Sequence, residues 1–212
     1  MSRKQTIIRG TFILTFTGLL TRVIGFFYRI FLSRTFQAEG VGLYQLIFPV
    51  YALCFSLTSA GIQTALSRIV AKYKALNQEK TCQNALKTAL FLSMILSFAA
   101  LIVVQKRAEP IASIILQEPR CAELLTSMSL AFPFAAIHSC ICGYYLGMKK
   151  TEVPAVSQLL EQLFRVLSVV FLCQIGLHFS MGTPVTIAVL GMVCGEIVSA
   201  IYSIFMLHET LF

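Results

Sequence analysis

The chain has 212 residues, of which 57% are hydrophobic and 12% charged, with a formal charge of +8. Soluble domains carry about 45–50% apolar and about 25% charged residues, so this composition excludes a water-soluble globule and makes lipid the solvent. The basic residues are dispersed between apolar runs instead of gathered on one face, which excludes a nucleic-acid surface and fits loops beside an anionic leaflet.

Six apolar runs follow, at 11–33, 43–66, 88–105, 122–147, 154–176 and 184–207. Each is long enough to cross roughly 30 Å of hydrocarbon as a helix. The expected fold is all-α: six transmembrane helices in one membrane domain over 1–212. The N-terminus (Arg3, Lys4, Arg9, then an apolar run) imitates a signal peptide. The run is too long, carries arginines and ends at no small-x-small site, so it reads as an uncleaved first helix.

In the first span Thr11, Thr15, Gly18, Arg22, Gly25 and Arg29 recur at steps of three or four. At 100° per residue they fill an arc of about 80°. The functional reading is a small, polar, cationic stripe lining a wet cavity that receives an anionic group. The structural reading is that Gly18 and Gly25 permit close packing and Arg29 snorkels to the interface. Arg22 lies too deep to snorkel, and a charge there costs about 2.5 kcal/mol or more in lipid.

In the second span Pro49 precedes Thr58, Ser59, Gly61, Gln63, Thr64 and Ser67, a half too polar to face lipid. Between Pro110 and Pro119, Ile111, Ile114, Ile115 and Leu116 keep helical spacing among charged flanks, which predicts a short interfacial helix at 110–119. The fourth span holds a lone His138 near Pro133, read as a hydrogen-bonded core residue. In the fifth, Ser157, Glu161, Arg165 and Ser168 form a second stripe, with Glu161 four residues before Arg165 in the favourable order for an ion pair. The pair is either cavity chemistry or mutual neutralisation that lets the helix insert. Gln162 points off that stripe, toward a neighbouring helix. The sixth span carries Gly191, Gly195 and Ser199 at spacing four, a packing face. Glu196 beside it is a possible coupling residue or a protonated hydrogen-bond partner.

Loop 67–87 (Arg68, Lys72, Lys74, Lys80, Lys87), the N-terminus and loop 148–153 (Lys149, Lys150) hold ten basic residues, against four (Arg34, Lys106, Arg107, Arg120) in the other connections. The positive-inside rule then places both termini in the cytoplasm, with Cys82 reactive from that side and Cys121 from outside. The seven cysteines contain no CxxC and mostly lie in apolar runs, so all read as small hydrophobes. No Ser/His/Asp set, phosphate loop or metal spacing occurs, and Asp is absent. The chain is expected to be no enzyme and to use no metal or cofactor.

The segments TRVIGFFYRIFLSRTFQAEGVGLYQLIFPVY (21–51), TSAGIQTALSRIVAKY (58–73), IASIILQEPR (111–120), GYYLGMKK (143–150) and SQLLEQLFRV (157–166) occur in this order. Together they resemble the polysaccharide-exporter branch of the multidrug/oligosaccharidyl-lipid/polysaccharide superfamily, nearest the stage V sporulation protein B group of lipid II flippase relatives. Two positions depart from the pattern: Cys142 stands where that resemblance leads one to expect Arg, and Leu146 where it leads one to expect Gln. The resemblance implies one lobe of a two-lobe transporter, an N-terminal lobe whose partner is a missing C-terminal lobe or a second copy. It further implies flipping of a lipid-linked sugar, a peptidoglycan or polysaccharide precursor, across the bacterial cytoplasmic membrane by alternating access. Arg22 and Arg29 would meet its pyrophosphate. A multidrug/cation antiporter of the same superfamily and a non-transporting membrane scaffold are the alternatives.

Overall fold

The computed structural model describes residues 3–176 and 184–211, and every regular element among them is helical. In order these are α1 (Arg3–Phe55), a π-helical turn (Ser56–Ala60), α2 (Gly61–Ala75), α3 (Glu79–Lys106), a helical turn α4 (Ala108–Pro110), a second π-helical turn (Ile111–Ile115), α5 (Cys121–Ser129), α6 (Ala131–Gly147), α7 (Glu152–Gly176) and α8 (Pro184–Leu211). Among the described residues four runs are long and apolar enough to cross a membrane, and α5 with α6, bent by 42°, pass the same test together.

The expected loop at 34–42 is absent. Helix α1 runs through it and is interrupted only at Gln37 (φ 60°, ψ 176°). The chain doubles back there, because residues 21–32 and 41–52 line one cavity, which a straight helix rising about 1.5 Å per residue would hold far apart. Gln37 occupies a region that only glycine enters freely, at a local cost of about 1–3 kcal/mol. Gln37→Gly should therefore raise the thermal unfolding temperature and Gln37→Val lower it; the reverse order would place the turn elsewhere.

The π-helical turn at Ser56–Ala60 follows Pro49 and carries buried Thr58 and Ser59. Thr58 donates to the carbonyl of Cys54 and Ser93 donates to that of Thr58, so side chains satisfy groups that the widened turn frees. The α5–α6 bend has a proline cause: Pro133 offers no N–H to the carbonyl of Ser129. The helix expected at 110–119 is shorter. Only Ala108–Ile115 is helical, and it ends before Gln117, whose φ is 55°, and Pro119. Ile114 and Ile115 stand 75% and 70% exposed, as an apolar face meant for lipid would.

Close backbone approach holds the helices together. A Cβ on Gly195 would lie 2.7 Å from the carbonyl oxygen of Glu161, so the glycine face of α8 packs on α7 as its spacing predicts. A second such face was not anticipated: Cβ atoms on Gly143 and Gly147 would lie 2.8 and 2.7 Å from the carbonyls of Gln63 and Ser67, locking α6 on α2. Gly195→Leu should destabilise the protein by about 1–3 kcal/mol or prevent folding. Gly42→Ala, which meets nothing within 4 Å, should leave thermal unfolding in detergent nearly unchanged. Equal behaviour of the two variants would rule out the α7–α8 contact.

The connections sort to two ends. At one, Arg9 donates to Glu152 at 2.9 Å, Gly10 abuts Thr151, and the Tyr145 hydroxyl reaches the Met206 carbonyl and Thr210 near the C-terminus. At the other, Arg120 donates to Glu118 through two nitrogens and to Glu39 beside the Gln37 turn at 2.6 Å. Arg120 holds the Glu118 carboxyl below the usual carboxylate range. A depressed value means that this clasp contributes above the ordinary carboxylate pKa and is lost as pH falls through the lowered one. Cys82 and Cys121, expected to be reactive, are both fully buried, with the Cys82 thiol 3.7 Å from the Val70 carbonyl. Large apolar side chains such as Phe12, Phe26, Phe91 and Phe171 lie more than 60% exposed on the outer surface. In water they would aggregate; in a bilayer they are the solvated face.

Candidate functional site

Both polar stripes of the sequence meet inside the helices. Arg22, Gly25, Tyr28 and Arg29 from the first half of α1, Tyr44 and Gln45 from its second half, and Gln158, Glu161, Gln162 and Arg165 from α7 line a cavity of about 670 Å³. Arg22 and Arg29 are exposed and form no ion pair among the described residues. Seven residues apart, they sit two helical turns from each other, about 10 Å along the axis. Gly18 lies outside this cavity, which begins at Thr21, and its missing Cβ would meet nothing within 4 Å. It is neither a lining nor a packing residue in this arrangement. Gln162 does face the cavity, its amide nitrogen 3.4 Å from the Cβ position of Gly25.

Glu161 accepts from Arg165 Nη2, one turn on, and both side chains are largely buried. Their charges cancel, so the net charge at this cavity comes from Arg22 and Arg29.

The same pair forms the wall of a second cavity of about 470 Å³, lined also by Tyr51, Gln63, His138, Cys142 and Glu196. Glu196, only 5% exposed, accepts from the Tyr51 hydroxyl at 2.7 Å through Oε1. Among the described residues its Oε2 has no donor within hydrogen-bond distance, and it lies 3.9 Å from His138 Nδ1, an ion pair when the imidazole is protonated. His138 Nε2 is 2.7 Å from the hydroxyl of Ser157, a member of the α7 stripe. His138 is thus hydrogen-bonded, as read from sequence, but its other nitrogen faces an acid. His138, Glu161 and Glu196 each offer a ligand atom within 4.8 Å of the others. No metal spacing is visible in the sequence because these residues come from α6, α7 and α8. Tyr51 leaves only a weak mark in the sequence, a hydroxyl two residues after Pro49 in an apolar run.

A bundle with lipid-facing apolar walls and two adjoining polar cavities is that of a multi-pass membrane protein. Residues 7–211 match the polysaccharide biosynthesis protein family, and the chain belongs to that family. Stage V sporulation protein B of Bacillus subtilis (strain 168) is 32% identical over 199 residues, which is 94% of this chain and 38% of that protein. The lipid II flippase MurJ of the same organism is 28% identical, over 92% of this chain and 39% of that protein. In fold, the chain is similar to the MATE transporter ClbM in complex with Rb+ (TM-score 0.75, 19% identity, 99% of this chain and 47% of that one). It is similar also to the lipid II flippase MurJ in an inward closed conformation (TM-score 0.67, 18% identity, 80% and 36%). The chain therefore spans less than half the length of the relatives it matches.

Proposed function

We propose that this chain forms one lobe of a flippase that moves a lipid-linked sugar, a peptidoglycan or polysaccharide precursor, between leaflets of the bacterial cytoplasmic membrane. It acts as a carrier and not as an enzyme. The observation that carries this reading is the pair of unpaired arginines two turns apart in the larger cavity. A pyrophosphate needs such cations in a wet, shielded place, and the sugar needs the surrounding glutamines and tyrosines. The apolar tail remains in the bilayer. Similarity to a lipid II flippase supports the substrate class.

With Gln37 as a turning point, the chain makes six crossings. The end that gathers the ten basic residues is cytoplasmic, and it holds both termini. Because the native cysteines at the turns are buried, introduced ones test this. Gln78→Cys should react with an impermeant maleimide only after the cells are opened, and Ser113→Cys in intact cells. Labelling in the opposite pattern inverts the orientation.

Alternating access requires a second body rocking against this one around a shared site. A C-terminal lobe or a second copy of the chain supplies it and covers the Arg22–Arg29 face. The decisive assay is movement of a labelled lipid-linked sugar in proteoliposomes containing the assembled transporter. No movement above protein-free vesicles would sink the flippase reading. The second reading, a cation antiporter, is favoured by one observation, the His138–Glu161–Glu196 cluster. Export of a cationic drug with no flipping would establish it.

A further inference from the structure

The first helix carries another arginine that the larger cavity does not use. Arg34 lies outside that cavity, whereas Arg29 lines it and also lines, with Arg34, a separate open depression of about 410 Å³. Phe26, Ile30 and Ser33 complete the depression. The helical repeat explains the arrangement. At about 100° per residue, Phe26, Ile30 and Ser33 fall between Arg29 and Arg34 on one face. The two arginines therefore flank a floor of one hydroxyl and two apolar side chains. Along the axis Arg34 lies about 7.5 Å beyond Arg29, toward the reversal at Gln37.

Both arginines are exposed, and neither guanidinium forms a hydrogen bond or ion pair among the described residues. The nearest acid along the chain, Glu39, is engaged by Arg120. Two like charges flanking one depression repel each other. Phe26 is 61% exposed beside them, a side chain suited to hydrocarbon, and an uncompensated charge next to hydrocarbon is costly. The pair therefore calls for an anion that comes from outside the chain.

We propose that Arg29, Ser33 and Arg34 form a second anion site, which holds the pyrophosphate of a lipid at the Gln37 end of α1. Charge selects pyrophosphate over an ordinary phospholipid. Two unpaired arginines match two anionic phosphates, whereas a phosphodiester carries one charge and leaves one cation unmatched. Each guanidinium offers a fork of donors to one phosphate, and the Ser33 hydroxyl adds a donor between them. Phe26 and Ile30 give the first carbons of the lipid an apolar floor. Because Arg29 belongs to both sites, a pyrophosphate can pass from the Arg22–Arg29 pair to the Arg29–Arg34 pair without leaving a cation. The three arginines make a ladder of about 18 Å along α1, directed from the cavity to the end opposite the termini. This hand-off, a release step for the carried lipid, rests on the flippase reading. Occupation of the site by pyrophosphate does not.

The test is footprinting of the purified chain in detergent with phenylglyoxal, which modifies accessible arginines, read residue by residue by peptide mass spectrometry. Farnesyl pyrophosphate should slow modification of Arg29 and Arg34 several-fold, and farnesol should not. Arg107, an exposed arginine outside both cavities, should react at one rate throughout. In Arg22→Ala the probe should still protect Arg34, which separates this site from the larger cavity. Equal reaction of Arg34 with and without the probe overturns the site. Equal protection by phosphatidylglycerol also overturns it, in favour of an ordinary headgroup contact. In the assembled transporter, Arg34→Ala should slow flipping several-fold while the probe still protects Arg22; unchanged flipping overturns the hand-off. Protection of Arg34 in an assembled protein that does not flip would uphold the site while sinking the flippase reading.

Discussion

Replacing Arg22 by alanine in the assembled transporter is expected to reduce flipping of a pyrophosphate-linked sugar by roughly 10- to 150-fold. That range corresponds to the loss of a charge-assisted hydrogen-bond donor set worth about 1.5–3 kcal/mol. Expression and insertion should stay near normal, because Arg22 is exposed in the lobe and forms no ion pair among the described residues. Its loss therefore strands no protein carboxylate. Lysine should rescue only in part: it keeps the charge but loses the two-pronged donor geometry that matches phosphate oxygens. Arg29→Ala should act in the same direction, since Arg29 lines the same cavity two turns away. The measurement is the initial rate in proteoliposomes at matched protein. Normal transport by Arg22→Leu would reduce the cationic stripe to a packing feature.

That stripe was legible because a helix repeats every 3.6 residues, so one face of 11–29 can be read off a line of text. Its lower end depends on the neighbouring helix. Gly18 falls on the same arc, but the lining of this cavity begins at Thr21. The apolar runs were legible for a harsher reason, since lipid tolerates only long stretches of satisfied helix. What interrupts them was not. The reversal at Gln37 needs one residue, not a loop of nine, and nothing in TFQAEG marks which residue takes the positive φ. The π-helical turn at Ser56–Ala60 depends on Ser93 supplying a bond across helices. The Gly143–Gly147 face has the same spacing as Gly191–Gly195 and could have been read by the same rule. The group formed by Tyr51, His138 and Glu196 was beyond any local pattern. Its members lie on three helices, and only packing brings the hydroxyl and the imidazole to the acid. Each residue alone gave a signal, a polar side chain in an apolar run, but pairing them requires the fold.

The Glu161–Arg165 pair separates a structural from a functional role most sharply, through a double substitution. Arg165→Ala is expected to destabilise the lobe by about 3–5 kcal/mol, the usual consequence of stranding one partner of a buried pair. The Glu161 carboxylate would lose the guanidinium it accepts from and remain close to Glu196, a second acid. Glu161→Gln with Arg165→Gln removes both charges and keeps similar volume, and neutral replacements of buried pairs often leave stability unchanged or improve it. The double variant should therefore unfold within about 1 kcal/mol of the unmodified protein, read by thermal unfolding in detergent. If the pair served only to let α7 insert, the double variant would also transport normally. The prediction is that it folds and does not transport, because the wall shared by the two cavities would no longer carry charge to either one. Full transport by a well-folded double variant would assign the pair to insertion alone. Unchanged stability of Arg165→Ala would mean that Glu161 is hydrated and that the pair is not a buried one.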